Sequence, residues 1–227
     1  MNIPVRALLS RFLGAAQVLA GQAVPSFSQE GEDRLLGRML ETKRLGFYVD
    51  VGAHHPIRFS NTYMFYLRGW RGINIDAMPG SMRPFRYLRP RDINIECGVA
   101  RSESTLAYHV FKEGALNTFD QTIAESYRTH GLERLRIENV RCRPLADLLA
   151  DHCDQPIDFM SIDVEGLEMA VFESNDWKRF RPRVCVFENL DHKTPLPETA
   201  AHHFLARQDY EFAAKTFNSV FYIDKHA

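Results

Sequence analysis

The 227-residue chain is 45% hydrophobic and 25% charged, with a formal net charge of -1. That length suits one domain with a substantial core, the balance excludes a disordered chain, and so small a charge leaves no global field to attract nucleic acid or an acidic membrane. The four cysteines, Cys97, Cys142, Cys153 and Cys185, have no C-x-x-C spacing, which excludes a zinc knuckle or redox pair and fits buried free thiols in a reducing cytoplasm.

No stretch reaches the roughly 18 uninterrupted apolar residues of a spanning helix, so no transmembrane segment is expected. From Ala7 to Val24, the residues Leu8, Leu9, Phe12, Leu13, Ala16 and Leu19 recur at helical spacing and predict one apolar stripe. Arg11 interrupts the run that a signal peptide needs. Residues 1–25 therefore read as a helical extension docked on the domain or a partner, with peripheral membrane contact and export as alternatives. Residues 26–227 read as a single domain.

Ser28 is the expected N-cap of a first helix, with Glu30, Glu32 and Asp33 in its first turn and Leu35, Leu36, Met39 and Leu40 on its apolar face. Gly46 to Val51 is the strongest strand signal, ending at Gly52. A short helix over Tyr63 to Arg68 follows, then a strand from Gly72 to Asp76 and a third through Ile93, Ile95 and Cys97. Arg83, Arg86, Arg89 and Arg91 read as a solvated face, or as an anion site. Between Ser102 and Pro144 the alternation lapses. Leu106 to Phe111 looks like an added strand, and Leu116 to Leu135 is mixed and polar, as expected of a lid or binding element. There Phe111, Phe119 and Tyr127 are candidates either for stacking on a sugar face or for core packing.

Helix over Leu145 to Ala150, strand over Ile157 to Ile162, helix over Leu167 to Phe172 and strand over Val184 to Phe187 resume the pattern. Glu198 to Arg207 is helical, and Tyr210 to Ala213 with Val220 to Ile223 form a hairpin. The sum is an α/β fold: a doubly wound, mostly parallel sheet of Rossmann-like type whose last strand runs antiparallel.

Ligands of such sheets bind beyond the carboxyl ends of the strands, at the switch point. The first strand ends in Asp50-Val51-Gly52-Ala53-His54-His55-Pro56 and the second in Asp76, an acid placed to accept from a ribose diol. A dinucleotide needs G-x-G-x-x-G so that backbone can approach pyrophosphate. Here Gly52 stands alone, and two imidazoles follow. S-adenosylmethionine carries no phosphate, so one tight turn suffices, with Asp50 facing its ammonium. The alternatives are a nicotinamide-dependent sugar oxidoreductase and a non-catalytic cofactor-binding module.

Phe47 to Pro56, Phe59-Ser60-Asn61-Thr62-Tyr63, Gly69 to Asp76 and Ser161-Ile162-Asp163-Val164-Glu165-Gly166, with the lead-in Ser26 to Asp33, together resemble the FkbM family of methyltransferases. The resemblance covers most of residues 26 to 190. It implies a class I methyltransferase fold, S-adenosylmethionine as donor, and O-methylation of a sugar, glycolipid or polyketide-like metabolite. An extended backbone would point Asp163 and Glu165 one way and Val164 the other. The family match makes Glu165 the base or acceptor-orienting group with Asp163 beside it, while capping of the next helix is the structural alternative. Glu188 and His192, at the end of the fifth strand, are candidates to share the proton. Asp50, Gly52, Ala53, His54, Ser60, Asn61, Asp76 and Asp163 are the expected cofactor contacts. Ser60 and Asn61 read equally as helix caps, and Gln29 and Glu30 are within reach of the same end. Asp163, Glu165, Glu188 and His192 could also hold Mg²⁺ or Ca²⁺, though the spacing requires no metal. The expected partner is a small-molecule or glycan acceptor, and a homo-oligomer is compatible with the sequence.

Overall fold

Strand β1 (Phe47–Val51) is buried along its whole length, as its continuous apolar run requires of a strand covered on both faces. In the computed structural model, which describes residues 20–227 apart from 22 and 42, β1 pairs in parallel with β2 (Arg71–Asp76) on one side and β7 (Phe159–Ile162) on the other. Most of the helical stripe expected over Ala7 to Val24 lies outside the described residues. Strands β3 (Ile93–Glu96) and β8 (Val184–Glu188) extend the parallel sheet. The sheet closes with β10 (Ser219–Asp224), antiparallel to β8 and to the edge strand β9 (Tyr210–Lys215). The spatial order is β3-β2-β1-β7-β8-β10-β9, so the antiparallel ending is as expected.

Side-chain alternation along β1 divides the core. Phe47, Val49 and Val51 join one apolar cluster with helices α5 (Leu145–His152), α6 (Glu168–Ser174) and α7 (Ala200–Arg207). Tyr48 joins the other, against α1 (Glu32–Met39) and α2 (Tyr63–Leu67). Asp50 shares the Tyr48 face. Helix α3 (Met82–Leu88) packs Met82 and Phe85 on Ala53.

Gly31, at φ 90°, is the N-cap of α1 in place of Ser28. The Ser28 hydroxyl instead exchanges hydrogen bonds with Asp33, donating to its carboxylate at 3.1 Å and accepting its N–H at 3.3 Å.

The stretch from Ser102 to Pro144 carries more regular structure than its sequence suggests. Strands β4 (Gly98–Val99), β5 (Ser104–Phe111) and β6 (Arg134–Arg143) form a second sheet in the order β4-β6-β5. A helix, α4 (Gln121–Thr129), is capped by the Asp120 carboxylate, which accepts from the N–H groups of Thr122 and Ile123.

The basic stretch past β2 divides. Arg83 and Arg86 are exposed, but Arg89 is wholly buried, against the expectation of a solvated face. Its Nε donates to Asp92 at 2.8 Å, and its Nη2 donates to the Tyr48 hydroxyl at 2.8 Å and to Thr62 Oγ1 at 3.0 Å. Thr62 Oγ1 donates in turn to Asp50 at 2.7 Å. One guanidinium thus balances two buried carboxylates and fixes the end of β1.

Removing one partner of such a buried pair leaves an uncompensated charge, at a cost of about 3–5 kcal/mol. Arg89→Met is therefore expected to lower unfolding stability by about that amount in urea titrations, whereas Arg38→Ala, whose pair with Glu41 is exposed, changes it by less than about 0.5 kcal/mol. A small loss in Arg89→Met would contradict the role given to this network.

Candidate active site

The carboxyl ends of β1, β2 and β7 are stitched together by backbone. Gly52 and Ala53 donate to the Ile75 carbonyl at 2.9 and 3.1 Å, and Asp163 donates to that of Val51 at 2.9 Å. Gly52 has φ 83°, and a Cβ there would stand 1.7 Å from the Asp163 carbonyl oxygen. Only glycine permits that turn and that approach. Beyond this edge opens a cavity of about 460 Å³, within the usual size of small-molecule sites. Its floor is the strand ends, and the β4–β6–β5 sheet roofs it through Tyr108, Phe111 and Leu135, joined by Phe119 from the segment before α4.

Asp76 lines the cavity from the end of β2 and is 7% exposed. One carboxylate oxygen accepts the N–H of His54 at 2.8 Å and the other that of Met78 at 2.9 Å. The loops after β1 and β2 are thereby tied to one acid, and each oxygen keeps a further lone pair for a ligand hydroxyl. Burial raises its pKa, against these hydrogen bonds. Gly52 and His54 also line the cavity. His54 adopts φ 51°, and burial lowers its pKa.

Four expected cofactor contacts stand elsewhere. Asp50 faces the Thr62–Arg89 network on the other side of β1, and its carboxyl is pushed up to about 6, chiefly by burial. Ala53 packs against α3. Ser60 Oγ accepts the Tyr63 N–H at 3.1 Å at the start of α2, the capping alternative. Asn61 donates to Ser161 Oγ at 3.0 Å and borders a small adjoining hollow shared with Gln29, Glu32, Asp163 and Glu188. Glu30 accepts the Asn218 N–H at 2.9 Å. His192 is exposed, with its ring 4.7 Å from that of Phe217. It borders neither the cavity nor the hollow, because the chain turns outward after Leu190.

Asp163, Glu165 and Glu188 do meet. Each offers a carboxylate oxygen, and these lie within 4.8 Å of one another. Among the described residues no cation forms an ion pair with any of the three, and Glu188 Oε2 is buried without a hydrogen-bond partner. Burial above all, reinforced by mutual repulsion, raises Glu165 and Glu188 to about 8 and Asp163 well above the ordinary carboxylate range. Three oxygens so placed have the shape of a divalent-cation site; we assign no cation to them. Glu165 adopts φ 51°, a conformation that costs a residue with a side chain about 1–2 kcal/mol, so its surroundings must hold it there.

Residues 50–212, well over half of the chain, match the model of the methyltransferase FkbM domain. The chain belongs to the FkbM methyltransferase family. It is an S-adenosylmethionine-dependent methyltransferase with the class I α/β fold, and the nicotinamide reading is set aside. No curated protein matches the chain. Among solved structures it is similar to an O-methyltransferase from Bacillus cereus in complex with S-adenosylhomocysteine, at 13% identity over 95% of this chain and 91% of that one, TM-score 0.47. It is also similar to the 1,6-didemethyltoxoflavin-N1-methyltransferase of Burkholderia thailandensis, at 11% identity over 98% and 89% of the two chains, TM-score 0.44.

The cavity fits such a donor: it is roomy enough, it has a glycine where a Cβ cannot stand, and it presents one hydrogen-bonded carboxylate at the end of β2. Loss of a hydrogen bond to a charged group costs about 1.5–3 kcal/mol. Asp76→Ala should therefore weaken S-adenosylhomocysteine binding by at least about tenfold in calorimetry while the protein remains folded by circular dichroism. Unaltered affinity would mean that the adenosine half lies elsewhere.

Proposed function

We propose that this FkbM methyltransferase transfers a methyl group from S-adenosylmethionine to a hydroxyl oxygen of a sugar, glycolipid or secondary metabolite, with Glu165 accepting the hydroxyl proton. The observation that carries the reading is a cavity-lining carboxyl, Glu165, clustered with two further acids and unpaired with any described cation. A general base works best when its pKa lies near the operating pH, and burial brings Glu165 to about 8.

The donor supplies a methyl group made electrophilic by a sulfonium, so in-line placement of acceptor and donor provides much of the rate. Asp76, Gly52 and His54 are proposed to hold the adenosine half, and Asp163 to face the methionine half. Positive charge in the cavity favours the ionised form of nearby carboxylates, so the bound donor's charge readies Glu165 to accept a proton. Tyr108, Phe111 and Phe119 give the roof aromatic faces suited to the apolar side of a ring. Phe119 packs at a tilt against Tyr108, with centroids 4.5 Å apart, so it takes part in packing as well as lining the cavity.

The test is a panel of sugars, glycolipids and polyketide alcohols incubated with donor and read by mass. We expect a gain of one methyl on oxygen. The base must be ionised to accept a proton, so kcat/KM, which reports the free enzyme, should climb as pH rises through about 8 and level off above it. Glu165→Gln should cut the rate by about 100-fold or more and leave S-adenosylhomocysteine binding intact. A methylated nitrogen, or full activity in Glu165→Gln, would overturn the reading.

A further inference from the structure

The loop that carries Glu165 is gripped by the inserted segment, from three directions. Thr118 Oγ1 donates to the Glu165 carbonyl at 2.9 Å. Ile123 of α4 lies over Gly166, where a Cβ would stand 2.3 Å from its Cδ1. Tyr127, 38 residues before Glu165, donates its hydroxyl to Glu165 Oε2 at 3.1 Å. Thr118 is itself pinned to β5 by a backbone pair with His109, at 2.9 and 3.3 Å. These contacts account for the left-handed backbone of Glu165, which its own side chain would not choose.

Tyr127 stands behind Glu165 and does not line the cavity, so it touches neither donor nor acceptor. Its ring packs edge-on against Phe111, with centroids 5.6 Å apart, and Phe111 does line the cavity. Burial raises the phenol well above its ordinary range, so it stays a donor at every working pH. Oε2 is held by this bond, and Oε1 accepts no hydrogen bond from the described residues, which leaves it the freer oxygen for an acceptor.

We propose that Tyr127 is a positioning residue for the methyl transfer: its hydroxyl fixes one oxygen of Glu165, presents the other to the acceptor, and couples the inserted roof to the base. The proposal rests on Glu165 being that base. The charged and titratable groups facing Glu165 are Asp163 beside it, Glu168 at the start of α6, Glu188 from the end of β8 and Tyr127 from α4. Tyr127 is the one that stabilises the ionised form. A hydrogen bond donated to a carboxylate lowers its pKa, and one made to a charged group is strong enough to move it by about one unit.

The test uses full-length protein labelled with [13Cδ]glutamate, with the Glu165 signal assigned through Glu165→Gln. In Tyr127→Phe, which keeps the ring, the Glu165 midpoint is expected to rise by about one pH unit, with S-adenosylhomocysteine affinity unchanged by calorimetry. A role in packing alone would alter the thermal midpoint and leave the titration where it was. An unmoved midpoint would overturn the proposal. A second reading needs no variant at position 127. In wild-type protein labelled with [13Cζ]tyrosine, one phenol signal should inflect at the Glu165 midpoint and lose that step in Glu165→Gln; absence of such a signal would equally overturn it. Failure of wild-type protein to bind S-adenosylhomocysteine would instead count against the proposed function, and the two failures are distinct.

Discussion

Everything at the carboxyl edge of the sheet follows from how closely two strand ends approach each other. Where β1 turns at Gly52, its backbone meets the Asp163 carbonyl so tightly that no side chain fits between them. That contact brings the Asp76 loop and the Asp163–Glu165 loop to one cavity. It also leaves no space to wrap backbone around a pyrophosphate, which a dinucleotide fold achieves with further glycines. A single-glycine turn and a carboxylate at the next strand end are compatible with an adenosine ligand that carries no phosphate.

Charge distribution divides the same region into two unlike halves. Behind β1, Asp50 and Asp92 share one buried guanidinium, and every member of that network has a partner. In front, Asp163, Glu165 and Glu188 share none. Half-buried acids without a cation beside them cost stability, and they answer by holding their protons more tightly. Such an arrangement is tolerated where function needs it, because a carboxyl kept near its midpoint at neutral pH can pass a proton in either direction. Among the described residues four non-glycine residues are left-handed; His54, Phe59 and Glu165 border the cavity and Asp209 does not.

Much of this was legible in the sequence, and the misses have physical causes. The strands of the main sheet announced themselves as short apolar runs ending in acids, because burial on both faces demands continuous hydrophobicity. Asp76 and Asp163 could be placed at the cleft because strand ends fix where the next side chains go; Glu165 reaches it through a left-handed turn rather than the extended alternation expected, and Val164 lines the cavity as well. Asp50 could not be placed there, since the alternation that buries Val49 and Val51 on one face sends Asp50 to the other. Strand β6 was hidden because its apolar positions Leu135 and Ile137 are exposed and its buried ones come only at Val140 and Cys142, so neither face reads as a core face. Helix α3 was masked by Pro84 and three arginines, one of which, Arg89, is wholly buried. His192 looked well placed by its distance from β8, but sequence spacing does not reveal the direction of a loop. Tyr127 has no local signal, because its partner lies in another element and only the tertiary fold brings them together.

The most direct trial of the central claim is a crystal structure of the protein with S-adenosylhomocysteine. The account predicts the ribose hydroxyls against Asp76, backbone of the Gly52 turn alongside the ligand, and the sulfur directed toward the Glu165 side of the cavity. A ligand bound away from Asp76, or a bound dinucleotide whose pyrophosphate occupies the Gly52 turn, would contradict it.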